Sequence, residues 1–239
     1  MKLMLAALAA TLTLGAAPVV QAQEASPLSF NVSLTTDYRY RGISQTRLRP
    51  AVQGGIDYAH DSGFYVGAWG SSIKWIKDAG GDADVEIDVY GGYKTELTKG
   101  VALDVGVLTY NYPKNKLHPS ANTQEIYGAL TLGPATLKYS HSVSNLFGFA
   151  DSKNSQYLEA AATIDLFDGY TITPHVGYQR VKNNSDFSYT DYSVTVNKEF
   201  AGFVFGLTAV ITDTEAYVYA PKNKNLGKDA FVFSVKKTF

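Results

Sequence analysis

Residues 231–239 read FVFSVKKTF and alternate between apolar and polar side chains. With the two-residue period of a β-strand, one face carries Phe231, Phe233, Val235 and Phe239. Lys237 is the polar exception on that face, close enough to the end of the chain for its stem to reach an interface. In a soluble protein such an ending would leave an apolar edge exposed. The stretch therefore predicts a terminal strand with one strongly apolar face.

That ending resembles the closing strand of bacterial outer-membrane β-barrels, and the other end of the sequence agrees with it. Residues 1–22 combine a basic start at Lys2, an apolar stretch over 3–17 and a small-x-small site at 20–22. Together they predict a signal peptide that is cleaved before Gln23. No later segment approaches the roughly 20 apolar residues of a membrane helix. Any membrane span in the mature chain must therefore use strands, because only helices and closed barrels satisfy every backbone amide in lipid.

The amino-acid composition further restricts the kind of protein and the partners it could have. Residues 23–239 have the length of one barrel domain. The sequence has no cysteine, which excludes disulfides, a thiol nucleophile and Cys-based metal sites. A formal net charge of -1 gives no basis for a nucleic-acid partner, which needs a basic face.

Segments of alternating polarity recur along the mature chain. The longest, 28–41, places Tyr38 and Tyr40 on the apolar face and Asp37, Arg39 and Arg41 on the polar face. The complete set of predicted strands covers 28–41, 51–59, 64–73, 84–96, 101–111, 125–132, 136–144, 157–166, 170–180, 190–199, 203–212 and 231–239. Pro174 falls inside one of them, where we expect a bulge or a different register.

The connections between these segments alternate in length. Short turns such as 60–63, 133–134 and 201–202 alternate with longer polar loops such as 42–50, 112–123 and 213–228. Outer-membrane barrels are built in this way. The sequence therefore predicts an all-β, antiparallel up-and-down transmembrane barrel of about twelve strands, with short periplasmic turns, longer extracellular loops and both termini in the periplasm. The expected location is the outer membrane of a Gram-negative bacterium.

Aromatic side chains fall where the two membrane interfaces would lie. The predicted interface residues are Tyr38, Tyr40, Tyr178 and Tyr192 at the loop ends and Tyr58, Phe64, Tyr93, Tyr170, Phe203 and Phe239 at the turn ends. The expected partners are the lipid bilayer, lipopolysaccharide and, through the strand that ends at Phe239, the outer-membrane assembly machinery. The lysines of the last long loop (Lys222, Lys224 and Lys228) are expected to face solvent or lipopolysaccharide.

The predicted inner face is mainly acidic. The candidate pore-lining residues are Asp37, Arg39, Arg41, Asp57, Glu86, Asp88, Asp104, Glu125, Glu159, Asp165, Asp191 and Glu199. Charged rings in a pore select the ions that enter it. In the alternative interpretation, carboxylates and arginines pair across a plugged interior and simply fill the barrel.

The sequence gives weaker support to a catalytic site or a metal site. His141 with Ser142 or Ser144 suggests a lipid hydrolase, but separations of one and three residues place the side chains on opposite faces of a strand. Four acids (Asp78, Asp82, Asp84 and Glu86) surround a Gly-Gly turn and offer oxygen ligands to Ca²⁺, although solvated carboxylates are the commoner case. We expect no enzyme, no metal site and no cofactor.

Four stretches carry a resemblance to a known family. They are FNVSLTTDYRYRGISQT at 30–46, AVQGGIDY at 51–58, GFYVGAWGSS at 63–72 and GGY at 91–93. The first resembles the N-terminal signature of the TorF-type porins, a largely uncharacterised proteobacterial family, and the others fit the same pattern. The resemblance implies an outer-membrane barrel and brings neither a substrate nor catalytic residues.

These features favour a porin-like channel for passive diffusion of small polar solutes or ions, with a mild cation preference from the acidic lumen. The alternative is a non-conducting structural or ligand-binding barrel that acts through its extracellular loops.

Overall fold

The structure is a computed structural model that describes residues 26–219 and 223–239. The signal peptide predicted over 1–22 lies outside the described residues. Twelve strands form the barrel: β1 (Leu28–Thr35), β2 (Ala51–Ala59), β3 (Phe64–Ser72), β4 (Val85–Thr98), β5 (Val101–Asn111), β6 (Thr123–Leu132), β7 (Ala135–Ser142), β8 (Gln156–Ala162, continued by Ile164–Asp165), β9 (Tyr170–Arg180), β10 (Tyr189–Phe200), β11 (Phe203–Thr212) and β12 (Ala230–Thr238). Within the described ranges, no helix has the length and apolar character needed to cross a membrane.

Each strand pairs antiparallel with its neighbour in sequence, and β1 pairs with β12 to close the barrel. At the seam, the backbone amide of Phe30 donates to Phe239 O at 3.1 Å, and the amide of Phe239 donates to Phe30 O at 2.8 Å. Closure leaves no sheet edge, so the strands satisfy their backbone groups among themselves. The predicted antiparallel barrel of twelve strands is confirmed.

Alternating polarity sets the two faces of the wall. In β4, the outward side chains of Val85, Ile87 and Val89 are exposed, whereas the inward carboxylates of Glu86 and Asp88 are buried. The same alternation repeats in the other strands, with mainly apolar residues outside and mainly polar, small or tyrosine residues inside; the larger apolar exceptions inside include Trp69, Leu108 and Val210. The wall therefore presents a continuous apolar band outwards and encloses a polar interior.

The two ends of the barrel differ. Tight turns at 60–63, 99–100, 133–134, 166–169 and 201–202 lie at one end, the turn end, together with both described termini. The other end, the loop end, carries loop 1 (36–50), loop 2 (73–84), loop 3 (112–122), loop 4 (143–155), loop 5 (181–188) and loop 6 (213–229). Loop 2 contains a short helix, α1 (Trp75–Asp78), and loop 5 contains a 3₁₀ turn, Ser185–Phe187.

The first predicted strand, 28–41, is too long. β1 ends at Thr35, and the chain then turns into the barrel. Tyr38 and Tyr40 are only 6% and 8% exposed inside the barrel, so their assignment to the membrane interface is wrong. The physical reason is a tight turn at Arg41 and Gly42, whose φ angles of 45° and 79° no extended strand can accommodate.

Pro174 produces a gap in a ladder without a change of register. β9 runs through it, while β8 is interrupted between Ala162 and Ile164 on the neighbouring side, because proline has no N–H to donate. Ala161 faces His175 before the gap and Ile164 faces Ile172 after it, which is the same register. The expected bulge or register change at Pro174 is therefore wrong.

Candidate functional site

Loop 1 forms a β-hairpin that enters the barrel. Its two short strands, Arg39–Tyr40 and Ile43–Ser44, pair across a two-residue turn in which both residues have positive φ. That is the geometry of a type I′ turn, which suits tight hairpins. We call residues 38–45 the lumen hairpin.

The lumen hairpin is held in shape by one carboxylate. Asp37 accepts hydrogen bonds from Arg39 Nε at 2.6 Å, Ser44 Oγ at 2.5 Å and Thr46 Oγ1 at 3.0 Å. Arg39 Nη1 also donates to the backbone oxygen of Leu226 in loop 6, at 3.0 Å. The hairpin is therefore a preformed unit that loop 6 fixes to the barrel.

Arg41, at the hairpin tip, spans the lumen to the opposite wall. Its two terminal nitrogens donate to Glu125 Oε1 and Oε2 on β6, at 3.0 and 2.7 Å, and Nη1 also donates to Gln179 Oε1 on β9, at 2.7 Å. The guanidinium carbon lies 4.1 Å from the ring centre of Tyr157 on β8. Burial acts to lower the pKa of Arg41, but the charge of Glu125, the hydroxyls of Tyr40 and Tyr110 and the hydrogen bond to Glu125 together outweigh it and raise that pKa above its ordinary value. The tip is therefore a charged, bidentate anchor.

The hairpin tyrosines fill the space between the tip and the wall. The Tyr40 hydroxyl donates to the hydroxyl of Tyr110 on β5 at 2.8 Å, and the Tyr38 hydroxyl donates to Glu86 Oε1 on β4 at 3.2 Å. The ring of Tyr38 packs edge-on against Trp69 of β3 at 5.3 Å. Burial raises the pKa of both hairpin tyrosines, which keeps their hydroxyl protons available for these bonds.

Around the hairpin, the loop half of the interior is a packed core. Every barrel strand contributes at least one inward side chain that is no more than 8% exposed, so water does not line a continuous lumen at this level. One such residue from each strand in turn is Thr35, Ala51, Ser71, Glu86, Tyr110, Glu125, Ser142, Tyr157, Gln179, Asp191, Val210 and Val232. The lumen hairpin closes the barrel at its loop end.

The turn half of the interior is different. Many of its inward side chains are small and polar, and they are only partly buried: Ser33, Thr131, Thr136, Thr208 and Ser234 are examples. Two of its ionisable side chains meet one carboxylate, that of Glu159. The ammonium of Lys138 lies 4.0 Å from Glu159, and His175 Nε2 lies 3.2 Å from the same carboxylate. This half is a polar vestibule that opens towards the turn end.

The predicted pore-lining residues divide into three groups. Asp57, Glu86, Asp88, Asp104, Glu125, Glu159 and Asp191 project inward from the strands. Asp37, Arg39 and Arg41 belong to loop 1 and not to β1. Asp165 and Glu199 are exposed at the rim of the turn end, outside the enclosed lumen, because their strands end there. The role of the inward residues in conduction stays a prediction.

The predicted interface aromatics, Tyr38 and Tyr40 excepted, lie on the outer face. Tyr178 and Tyr192 face outwards near the loop end and are 49% and 48% exposed. The turn-end set is Tyr58, Phe64, Tyr93, Tyr170, Phe203 and Phe239. The ammonium of Lys237 lies 4.9 Å from the ring of Phe203 and 5.2 Å from that of Phe239, which fits its predicted position at an interface.

The serine and histidine residues of strand β7 and loop 4 do not form a catalytic pair. His141 is on the outer face, where Nδ1 lies 3.1 Å from the Tyr139 hydroxyl and Nε2 lies 3.1 Å from Asn154 Oδ1. Ser142 points inwards and donates to the backbone oxygen of Ser144 at 2.8 Å. The prediction that His141 and Ser142 lie on opposite faces is confirmed, whereas Ser144 lies in loop 4, beyond the end of the strand.

The acids around the Gly-Gly turn of loop 2 do not converge on one point. Asp78 accepts from Arg47 Nε at 2.7 Å, Asp82 from Lys116 at 2.8 Å and Asp84 from Lys77 at 2.6 Å. The hydrogen bonds from these lysines lower the pKa values of Asp82 and Asp84. Across the part of the chain that the structure describes, no group of three or more His, Asp or Glu residues is arranged to hold a metal ion. These acids tie loops 1, 2 and 3 together.

Sequence reasoning missed the residues that receive the hairpin, among them Tyr110, Tyr157 and Gln179. Their own segments give no signal, because tyrosine and glutamine are ordinary on an inner barrel face. The available signal was in loop 1, where Arg41-Gly42 interrupts an alternating segment with a residue that favours positive φ. A hairpin could have been predicted there, but not its direction.

The chain belongs to the Gcw_chp family, described as bacterial proteins of unknown function, whose model matches residues 21–239. The name of the TorF-type porins therefore remains a resemblance of the N-terminal motif. No curated protein matches the chain.

Solved structures of outer-membrane porins share the fold. The KdgM porin superposes with a TM-score of 0.57 at 8% identity, over 88% of this chain and 98% of that one. A second structure, "KdgM porin in complex with disordered oligogalacturonate", gives 0.57 at 8% identity over 89% and 98%. The NanC porin gives 0.55 at 10% identity over 88% and 98%. At such identities the likeness concerns the fold alone, which is that of a porin-like barrel.

Proposed function

We propose that this protein is a porin-like channel of the outer membrane that the lumen hairpin holds closed. The observation that carries the proposal is the contrast within the lumen: an anchored hairpin crosses the loop half and packs against its wall, while the strands leave a polar vestibule in the turn half. A barrel whose own strands filled it would need bulky inward side chains along its whole height. Here the lumen hairpin is the segment that crosses the path, with Phe147 of loop 4 packed on Tyr40 beside it, and its withdrawal would open a route for small polar solutes or ions.

The open path would favour cations mildly. Four inward carboxylates of the loop half (Glu86, Asp88, Glu125 and Asp191) would line it once Arg41 withdrew with the hairpin. In the vestibule, by contrast, Asp57, Asp104 and Glu159 are balanced by Lys94, Lys138 and Lys236. Charge near the narrowest part of a pore dominates its selectivity, so the carboxylates of the loop half would set the preference.

The proposed location is the outer membrane, reached by export with a cleaved signal peptide and insertion by the assembly machinery. The apolar outer face supports insertion into lipid. Phe239 supports the second step, because it is 67% exposed at the turn end of the closing strand, where assembly factors could bind it.

Conductance of the refolded mature protein in a planar bilayer tests the proposal. We compare the wild type with a variant in which a short Gly-Ser linker replaces residues 38–45, and with Lys198→Ala at the turn end as a control. The wild type and the control should be closed for most of the recording, and the linker variant should conduct in discrete steps. Silence from a correctly folded linker variant would contradict the proposal.

Selectivity is tested in the same bilayer with a salt gradient. In the linker variant, Glu86→Gln combined with Asp88→Asn should move the reversal potential towards zero, because the path then loses its preference for cations. The matched control is Asp165→Asn with Glu199→Gln, which removes two carboxylates at the exposed rim and should change it little. Equal shifts from both pairs would contradict the assigned cation preference.

A second candidate is a non-conducting barrel that acts through its loops. The loops favour it because they pack on one another: the rings of Phe149 and Phe187 lie 4.6 Å apart, and the Tyr217 hydroxyl donates to the backbone oxygen of Phe187 at 2.8 Å. Silence of the linker variant would support this candidate.

A further inference from the structure

The outer face of the barrel carries three charged residues among the outward positions of its twelve strands, and all three are basic. Two lie near the turn end. Lys198 stands 4.5 Å from the ring centre of Tyr170 and 2.8 Å from Asp168 Oδ2, and Lys237 stands over the rings of Phe203 and Phe239. Each of these cations has a partner within the protein.

Arg180 is the third, and it differs from the other two. It is exposed at the loop end of β9, and within residues 26–219 and 223–239 its guanidinium has no ion pair, ring contact or hydrogen bond. A guanidinium at the boundary of an apolar band is within reach of anionic lipid headgroups. Arg180 is therefore an outward cation without a protein partner among the described residues.

The neighbouring strands place polar groups at the same level. Gln156 of β8 is opposite Arg180 on one side and opposite His141 of β7 on the other. Strand spacing puts the backbones of His141 and Arg180 about 10 Å apart. These three residues form a lateral polar row on the outer wall.

An amphipathic row lies directly beneath it. Leu158 is opposite Tyr139 on one side and Tyr178 on the other, and all three are 41–49% exposed on the outer face. Tyrosines at this level are typical of the boundary between acyl chains and headgroups. The polar row above them is therefore at headgroup height.

The loops next to this row carry two lysines and two acids. The backbone amide of Lys182 donates to Ser155 Oγ at 3.0 Å, which places loop 5 beside the start of β8, and Lys153 is exposed in loop 4. Asp151 and Asp186 are the acids of the same two loops. Together with Arg180, the two lysines make three cations, which outnumber the two carboxylates at this corner of the barrel.

We propose that the outer wall of β7–β9 at the loop end binds the phosphate of a phosphorylated glycolipid of the outer leaflet. Arg180 donates to the phosphate in the planar fork that suits this group, Gln156 adds an amide donor, and Tyr139 and Tyr178 pack against the sugar and the first acyl carbons. Outer-leaflet lipid is chosen over a free anion because the cation stands on the lipid-facing side of the wall. The proposal rests on the outer-membrane location given above, and it does not depend on conduction.

Native mass spectrometry of the refolded full barrel tests it. The protein in detergent receives an equimolar mixture of lipid A and its dephosphorylated form. The wild type should retain the phosphorylated lipid preferentially. Arg180→Gln should weaken that retention about tenfold, the loss expected from one charged hydrogen-bonded pair. Lys198→Gln, which removes an outward cation at the other end, should retain lipid as the wild type does.

Equal retention of the two lipids by the wild type, or an equal loss in Lys198→Gln, would overturn the proposal. Competition by inorganic phosphate that abolishes the preference at low concentration would assign the site to a free anion and would also overturn it. Heat-modified gel mobility shows whether each variant is folded, and Gln156→Ala gives a second, milder variant. A linker variant that conducts, together with a wild type that shows no lipid preference, refutes this inference alone. A silent linker variant, together with a wild type that shows the preference, refutes the channel alone.

Discussion

The two halves of the barrel interior are built by the same twelve strands and have opposite properties. In the loop half, Arg41, Glu125 and Tyr157 are almost fully buried, and in the turn half Lys138 and Ser234 are partly exposed. Alternation alone does not produce the difference, because both halves continue one alternating pattern. It comes from the eight residues of the lumen hairpin, which fold back into one half and pack there against bulky inward side chains such as Trp69 and Tyr110. Alternation therefore decides which side chains face the lumen, and a loop decides whether water reaches them.

Removal of the hairpin anchor should have the largest effect. Arg41→Ala leaves Glu125 buried without its cation, which should lower the free energy of unfolding by about 3–5 kcal/mol. Lys198→Ala removes the partner of Asp168, which is 81% exposed, and should cost less than about 1 kcal/mol. Equilibrium unfolding in urea with lipid vesicles measures both.

A control separates the buried charge from the lost contact. Adding Glu125→Gln to Arg41→Ala should recover part of the stability, because the orphaned carboxylate is then absent. Similar losses for Arg41→Ala and Lys198→Ala would contradict the distinction between the two halves.

The second effect concerns the hairpin turn. In Gly42→Ala, the added Cβ would lie 2.5 Å from Thr212 Cγ2 and 2.9 Å from Asp191 Cβ, at a φ of +79°. Backbone strain and overpacking together should cost about 2–4 kcal/mol. Gly202→Ala at the turn end has a φ of +74° and nothing within 4 Å, so only the backbone cost of about 1–2 kcal/mol should remain. The same unfolding experiment compares them, and equal losses would mean that the hairpin tip is loosely packed.

The smallest effect compares two tyrosine hydroxyls. Tyr38→Phe takes the donor from the buried carboxylate of Glu86 and should cost about 1–3 kcal/mol. The Tyr65 hydroxyl donates to Asp104 Oδ1 in the vestibule at 2.6 Å. In Tyr65→Phe, water can replace the lost hydroxyl there, so the cost should stay below about 1 kcal/mol. Unfolding free energies that rank in the reverse order would show that water reaches the loop half and not the turn half.

The fold was predictable because its signal is repeated twelve times. The predicted strand 203–212 coincides with β11, and 190–199 differs from β10 by one residue at each end. The error at 28–41 has a definite cause: Tyr38, Tyr40 and their charged neighbours alternate as a strand would, while the hairpin depends on one turn at Arg41-Gly42. A period of two does not distinguish a long strand from a strand followed by a hairpin.

The site was predictable only as a list of inward charges. Glu86, Glu125 and Asp191 were assigned to the correct face because the face follows from alternation. Arg41 was not identified as the partner of Glu125. The two residues are 84 positions apart in sequence and meet only after the barrel has closed. Asp165 and Glu199 show the complementary limit, because alternation gives the face of a residue but not its height in the barrel.

Thiol accessibility measures the difference between the two halves most directly, since the chain has no cysteine of its own. Ser234→Cys places a thiol in the vestibule, and Ser140→Cys places one in the loop half, where the serine is 2% exposed. In the refolded barrel, a small charged thiol reagent should label Cys at 234 rapidly and leave Cys at 140 unmodified until Arg41→Ala is added. Equal labelling of both positions in the presence of Arg41 would contradict a lumen closed by the hairpin.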